Sequence, residues 1–171
     1  MVEKFWNTYV NMRFKCYYYE HCMAKNVQYD RVFTAIPLII TSGGLAFFLS
    51  TSNLSVLSAF VIFIGQALSV VSHLMPYSKR AMVLSGVIPD IEKLLVKIDC
   101  DWSAVNSDEF SYSFEEINDL TMRYEKECLA IEQKALSGVS IPRDKKCEKK
   151  AMEETELFLK IRHNAILEKA S

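Results

Sequence analysis

The sequence lacks charged residues over one long continuous stretch. Between Arg31 and Lys79 it runs 47 residues without Asp, Glu, Lys or Arg, although the chain holds 20 basic and 21 acidic residues among 171. A helix needs about 20 apolar residues to cross the hydrocarbon core of a bilayer. The stretch is therefore long enough for two crossings joined by a tight turn. The soluble alternative, a hydrophobic hairpin buried in a helical bundle, would need more amphipathic helix around it than the chain supplies.

Other common signatures are missing as well. The five cysteines are widely spaced and form no CxxC motif, which argues against a disulfide framework or a zinc knuckle. The first apolar segment begins too deep in the chain for a cleaved signal peptide. There is no Walker loop and no GxGxxG, and the three histidines have no metal-ligand spacing to another His or Cys. These absences predict a protein that is not an enzyme and that uses no metal and no cofactor.

The uncharged stretch predicts two membrane spans, at about 32–51 and 54–75. Residues 52–55 offer a turn between them, and Pro76 closes the second span. Basic residues flank the pair on both sides, whereas the turn carries no charge; they are Arg13, Lys15, Lys25, Arg31, Lys79 and Arg80. The positive-inside rule therefore predicts a multi-pass protein of the cell inner (plasma) membrane with both termini in the cytoplasm.

The rest of the chain predicts helices, so the fold class is an all-α membrane protein with a two-transmembrane helical hairpin. Residues 1–31 form an N-terminal amphipathic or interfacial helix, 32–76 the hairpin, and 77–171 a cytosolic helical region. Within that region we expect a new helix at Pro89 and a loop over 99–111. A capping box formed by Ser113 and Glu116 opens the next helix, and Ser137-Gly138 ends it. The last helix spans about 143–169.

Apolar residues at alternating spacings of three and four mark the buried faces of these helices. The expected apolar face of the helix after Pro89 is formed by Ile91, Leu94, Leu95 and Ile98. The apolar positions of the last helix include Met152, Leu159, Ile161 and Ile166. Two further seams are candidates for holding an oligomer together from the cytoplasmic side. They are Phe5, Tyr9, Met12, Cys16 and Tyr19, and Ile117, Leu120, Tyr124, Cys128 and Ile131.

The second predicted span has two different faces. On a wheel of 100° per residue, one arc of roughly 120° carries small and polar residues: Ser58, Ile62, Gly65, Gln66, Ser69, Ser72 and His73. The opposite side is apolar throughout. Polar groups in hydrocarbon need partners or water. The stripe therefore either packs against other helices, as small-xxx-small motifs do, or lines an aqueous path. One hairpin cannot enclose a path, so a pore would need about four or more protomers.

A basic cluster near the start of the last helix is the other candidate site. It consists of Arg143, Lys145, Lys146, Lys149 and Lys150. Basic charge at a helix N-terminus opposes the macrodipole, so the cluster is suited to an anion such as a nucleotide phosphate or a lipid headgroup. The alternative is a solvated patch neutralised by the acidic segment 101–142. Because the net charge is −1, we expect no binding to duplex DNA.

An aromatic N-terminal helix, a close pair of spans and a helical tail together resemble the SLATT family of small two-transmembrane proteins. The residues that carry the resemblance are the Phe5–Met23 seam, the two spans and the tail seam from Ile117 to Ala135. The resemblance implies an oligomeric effector of prokaryotic antiviral defence, one that acts by abortive infection. It also implies regulation by a nucleotide or oligonucleotide that a partner nucleotidyltransferase-type enzyme makes.

The leading functional hypothesis is a ligand- or partner-gated channel that collapses ion gradients and stops growth. Gln66, Ser69, Ser72 and His73 would line its path. Two alternatives stay open: a membrane-anchored scaffold that recruits a cytosolic partner, and a holin-like protein that makes large, non-selective lesions.

Overall fold

A computed structural model describes residues 2–50, 55–105 and 112–170, although not the side chains at 41, 43–50, 55–58, 72–73 and 163–170. Within these residues the chain is helical and has no strand. Its helices are α1 (Val2–Ser50), α2 (Ser55–Leu74), α3 (Tyr77–Val105), α4 (Phe114–Leu136) and α5 (Lys145–Ala170). The all-α prediction is confirmed. Residues 52–54 of the predicted turn lie outside the described residues.

The chain divides into two compact units. The first contains Met1–Met23 and Met82–Ser171, and the second contains Ala24–Ala81. The sequence instead placed its divisions at residues 31 and 76, from the distribution of charge, and that division stays a prediction.

The first unit has a continuous apolar core. From α1 it takes Phe5, Tyr9, Met12 and Cys16, whose spacings of four and three place them on one face of the helix. The other helices add Leu84, Val87, Ile91, Leu95 and Ile98 from α3, and Ile117, Tyr124 and Cys128 from α4. Burying one such aliphatic side chain contributes about 1.5–3 kcal/mol, so the matched seams hold these helices together. The predicted face Ile91, Leu94, Leu95 and Ile98 is confirmed.

Helix α5 buries small residues. Among its described side chains the buried ones are Cys147, Ala151 and Thr155, while Met152 and Ile161, two of the apolar positions named above, are exposed. Leu159 is half-buried, and the side chain of Ile166 lies outside the described residues. Small residues at a spacing of four let α5 approach the core closely, and the Thr155 hydroxyl is satisfied by donating to the carbonyl of Ala151 at 2.7 Å.

Two predicted helix boundaries are absent. Helix α1 runs without a break from Val2 to Ser50, so the expected N-terminal helix (1–31) and the described part of the first expected span belong to one helix with Pro37 inside it. Pro89 likewise lies inside α3 and does not start a new helix. Leu84 and Ile88 before it and Ile91 after it are all buried in one core. Packing on both sides of Pro89 therefore outweighs the loss of one backbone hydrogen bond.

The expected loop over 99–111 is helical as far as Val105, and residues 106–111 lie outside the described residues. Tertiary contacts explain the extra helical turn. The Trp102 ring packs 4.8 Å from Trp6, centroid to centroid, and Asp101 accepts a hydrogen bond from the Tyr124 hydroxyl at 2.6 Å. None of these partners is local in sequence, so a polar composition alone could not indicate the helix.

The predicted capping box at the start of α4 is confirmed. The amide of Glu116 donates to Ser113 Oγ at 3.3 Å, and the amide of Ser113 donates to Glu116 Oε2 at 2.7 Å. The hydrogen bonds that the Glu116 carboxylate accepts from Ser113, chiefly from its backbone amide, lower the pKa of Glu116. Because the pKa is lowered on folding, the ionised Glu116 stabilises the folded state at any pH above the ordinary carboxyl pKa. This stabilisation is lost as the pH falls through the lowered pKa. The predicted end is also confirmed, since Gly138 follows with φ +83°.

The second unit contains the uncharged stretch. Aromatic contacts join α1 to the start of α3, where the Tyr77 ring lies 5.4 Å from Tyr29 and 5.5 Å from Phe33. Pro76 separates α2 from α3, as predicted. Within the described part of the chain, no helix combines the length and the apolar character that crossing a bilayer requires.

We expect Ser113→Ala to lower the free energy of unfolding of the first unit by about 1 kcal/mol, because the Glu116 amide loses its acceptor. Hydrogen exchange of the full chain in detergent, read at the first amides of α4, measures the effect. Ser85→Ala is the control, since Ser85 is an exposed mid-helix residue that bonds only its own helix, at Met82. Equal exchange in the two variants would contradict the role of the cap.

Candidate functional site

The predicted polar stripe of α2 lies in the second unit. Gly65 is buried, Ile62 and Ser69 are half-buried, and Gln66 is exposed. The side chains of Ser58, Ser72 and His73 lie outside the described residues. An exposed glutamine amide offers two N–H donors and one acceptor to water, to an ion or to a neighbouring helix. Whether the stripe lines a path or packs helices therefore depends on what surrounds Gln66 in the assembled protein.

Large apolar side chains in the second unit point outward. Phe60, Phe63, Val70 and Leu74 of α2 are all more than 60% exposed, as are Leu38 and Ile39 of α1. Among the described residues of this unit, the buried ones are Pro37, Gly65 and Ala81. The described part of the unit therefore fully buries none of its large apolar side chains, whereas the first unit buries a continuous core of them. An exposed apolar surface of this extent marks an interaction site.

The predicted basic cluster lies in the first unit, and acidic neighbours already engage part of it. Arg143 forms a two-pronged pair with Glu148 at 3.0 and 2.5 Å, and this hydrogen bonding lowers the pKa of Glu148. Lys149 lies 3.8 Å from Glu153. The neutralising carboxylates thus come from α5 itself, whereas the sequence suggested the segment 101–142.

Asp144 also offsets the charge of the cluster. Its Oδ1 accepts from the backbone amides of Lys146 and Cys147 at 2.9 and 3.2 Å, so Asp144 is the N-cap of α5. The amide of Asp144 in turn donates to the Tyr18 hydroxyl of α1 at 3.2 Å. The sequence signal for this cap, an Asp directly before a helix, was available and was overlooked. The cap fixes the start of α5, so the lysines that follow it project from a defined helical turn.

The ten residues predicted as oligomer seams all lie in the core of the first unit. Phe5, Tyr9, Met12, Cys16, Ile117, Tyr124 and Cys128 are buried, and Tyr19, Leu120 and Ile131 pack against them half-buried. Their side chains are therefore largely covered by other helices of the same chain. Their role in assembly stays a prediction, and a partner would have to contact other surfaces of this unit.

A cluster that sequence reasoning missed joins α1, α3 and α5. Arg162 donates to Asp99 Oδ1 at 2.5 Å and to the Tyr9 hydroxyl at 3.1 Å. The Arg13 guanidinium donates to the same hydroxyl at 3.0 Å and lies 4.8 Å above the Phe158 ring. Arginine over an aromatic face gains about 0.5–2 kcal/mol, more when it is desolvated.

The Arg13–Arg162 cluster fixes the C-terminal helix to the core. Asp99 and Tyr9, the hydrogen-bond partners of Arg162, lie 63 and 153 residues from it in the sequence. No local spacing in the sequence could therefore indicate these contacts. Most of Arg162 is covered, with 22% of its side chain exposed, whereas Asp99 is 45% exposed. Water therefore partly screens the Arg162–Asp99 ion pair. Much of the contribution of Arg162 to stability comes from its hydrogen bond to the Tyr9 hydroxyl.

We expect Arg162→Met to destabilise the first unit by about 1–3 kcal/mol, because Asp99 and Tyr9 lose a shared donor. Chemical denaturation of the full chain, followed by circular dichroism, measures the loss. Lys149→Met is the matched control: it removes a cation from the same helix at an exposed i,i+4 pair, with Glu153, so its effect should stay within ~0.5 kcal/mol. Equal effects of the two substitutions would show that the cluster is no stronger than a surface ion pair.

The chain is similar to no characterised protein in the comparisons made. No family model matches its sequence, no curated protein matches it, and no solved structure matches its fold. The resemblance to the SLATT family stays a prediction.

Proposed function

We propose that this protein is a membrane effector that oligomerises into a gated ion channel. Residues 32–75 would enter the bilayer as a two-helix hairpin, with both termini in the cytoplasm. The outward-facing apolar side chains of the second unit, in a stretch without one charged residue, are the observation that carries the proposal. Moving such a surface from water into hydrocarbon lowers its free energy by about 25 cal/mol per Å².

Residues at the ends of the stretch support the same placement. Tyr29, Phe33 and Tyr77 form an aromatic group beside the basic residues Arg31 and Lys79. Tyrosine rings and basic side chains at the end of an apolar segment are typical of a membrane–water interface. The side chains at 43–58 and 72–73 are outside the described residues, so the two spans themselves rest on the sequence.

The channel wall would come from α2. The exposed Gln66 is costly in contact with lipid, because its amide would lack partners there. Repeating α2 around a symmetry axis gives that amide water on one side and neighbouring helices on the other. About four or more copies are needed to enclose a path, so the active form is a homo-oligomer.

Gating would come from the cytoplasmic region. The exposed lysines Lys145, Lys146 and Lys150 follow the Asp144 cap and offer charge to a phosphate-bearing ligand. We propose a nucleotide or oligonucleotide, made by a partner nucleotidyltransferase-type enzyme, as the signal. Opening would dissipate ion gradients and arrest growth, which is the abortive-infection response that the SLATT resemblance implies.

We expect Phe63→Lys to release the protein from the membrane or to prevent its insertion. Phe63 is near the middle of the second predicted span and is 67% exposed. A lysine at the centre of a span costs about 2.5–3.5 kcal/mol on insertion. The measurement is the fraction of protein that stays with membranes after alkaline extraction.

Met152→Lys is the control for that experiment, because Met152 is also a large exposed apolar residue but lies in the first unit. It should leave the membrane fraction unchanged. A wild-type protein that alkaline extraction removes from membranes would overturn the membrane proposal.

We expect Gln66→Leu to change ion flux through the reconstituted protein several-fold, because it removes a polar group from the path. Purified protein in liposomes, loaded with an ion-sensitive dye, provides the measurement. Phe60→Leu is the control, since Phe60 is at the centre of the opposite, apolar face of α2. Equal ion fluxes in the wild type and in both variants would show that Gln66 does not line the path.

The same liposomes separate the alternatives. A scaffold would pass no ions under any ligand, and Gln66→Leu would alter only assembly, as seen by cross-linking. A holin-like protein would release large solutes as readily as ions, so leakage would not depend on solute size. The channel proposal requires leakage that is limited to small ions.

A further inference from the structure

Three metal-ligating side chains converge between α1 and α3 in the first unit. Cys16 and Glu20 are one turn apart on α1, and Glu92 comes from α3. The Cys16 sulfur and one carboxylate oxygen of each glutamate all lie within 4.8 Å of one another. Cys16 is buried, Glu20 is half-buried and Glu92 is exposed, so the cluster is closed on the core side and open to solvent on the other.

The cluster brings two carboxylates and a thiol close together. Across 2–50, 55–105 and 112–162, neither Glu20 nor Glu92 forms an ion pair with a lysine or arginine. Burial, followed by the charges of Glu20 and Glu92, raises the pKa of the Cys16 thiol to about 12, although Arg13 acts in the opposite direction. Burial also raises the pKa of Glu20, and the hydrogen bond from Cys16 and the nearby His21 oppose that rise. A cation placed among the three side chains would relieve this repulsion.

The structure assigns to Cys16, Glu20 and Glu92 a site for a divalent metal ion of the zinc class, with a fourth position open to water. Thiolate and carboxylate are both zinc ligands, and three protein ligands plus one open position is a common zinc arrangement. Calcium and magnesium take oxygen ligands only, so the buried thiol argues against them. On binding, the sulfur–metal bond replaces the S–H bond and the proton leaves to solvent.

The distances fit such an ion with small side-chain adjustments. Zinc bonds of about 2.3 Å to sulfur and 2.0–2.2 Å to oxygen place tetrahedral S and O ligands about 3.5 Å apart. Cys16 Sγ already lies 3.7 Å from Glu20 Oε1, to which the thiol donates a weak hydrogen bond. Glu92 is on the solvent side, where its rotatable side chain can close the remaining gap. A bound ion would cross-link α1 to α3 and would stabilise the first unit.

Sequence spacing could not indicate this site. Glu92 is 72 residues from Glu20 in the sequence, and the pattern contains no histidine and no second cysteine. The prediction of no metal followed from the absence of local ligand motifs. Only the packing of α3 on α1 brings the third ligand within reach. The inference does not depend on membrane insertion, since the three residues belong to the first unit.

Cobalt(II) titration of the metal-free full chain in detergent tests the site. The parent protein carries Cys100→Ser, because Cys100 is an exposed thiol that could bind metal by itself. We expect one equivalent of cobalt per chain and a thiolate-to-cobalt charge-transfer band, which zinc displaces. Cys16→Ser should abolish the band, and Glu92→Gln should weaken affinity roughly tenfold or more.

Cys128→Ser is the matched control, since Cys128 is also a buried cysteine of the first unit, and it should retain the band. Circular dichroism checks that each variant is folded. If Cys16→Ser fails to fold, the exposed Glu92→Gln variant decides. No thiolate band in the parent, or full affinity in Glu92→Gln, would overturn the proposal whatever the liposome experiments show.

Discussion

The need to cover apolar side chains governs both units of this protein. The first unit meets it within the chain, by matching apolar seams on α1, α3 and α4 around Tyr9, Leu84 and Tyr124. The second unit leaves Phe63, Val70 and their neighbours exposed. Exposed apolar surface is unfavourable in water, so the described side chains of the second unit favour an apolar covering. A bilayer and further copies of the chain are the coverings that we propose.

The polar contacts of the first unit depend on the same core. The Tyr9 ring is buried, so its hydroxyl is held where Arg13, Asp99 and Arg162 can all reach it. Packing of α3 on α1 likewise brings Glu92 to Cys16 and Glu20. A long helix that is fixed at several points by its neighbours can hold charged groups in place at little further entropic cost. The unit is therefore suited to couple a ligand or ion to the positions of its helices.

Much of the secondary structure was predictable because its signals are local. The capping box at Ser113 and Glu116 and the glycine after α4 need only a few adjacent residues, and both are confirmed. Pro89 shows the limit of local reasoning. Its chemistry favours a helix start, yet buried neighbours on both sides keep α3 continuous. Helix α5 shows another limit, since small residues form its buried face and large apolar ones stay exposed.

The sequence by itself determined the helical fold class, the uncharged stretch and the apolar seams, because periodicity and charge are properties of neighbouring residues. Tertiary structure alone decided which partners those seams meet. It placed the residues of the two predicted seams in the core of the first unit, and it joined Arg162 to Tyr9 across 153 residues. It also brought Glu92 to Cys16. These pairings depend on how helices pack in three dimensions, and helix packing is set by the combined shape and burial of many distant side chains.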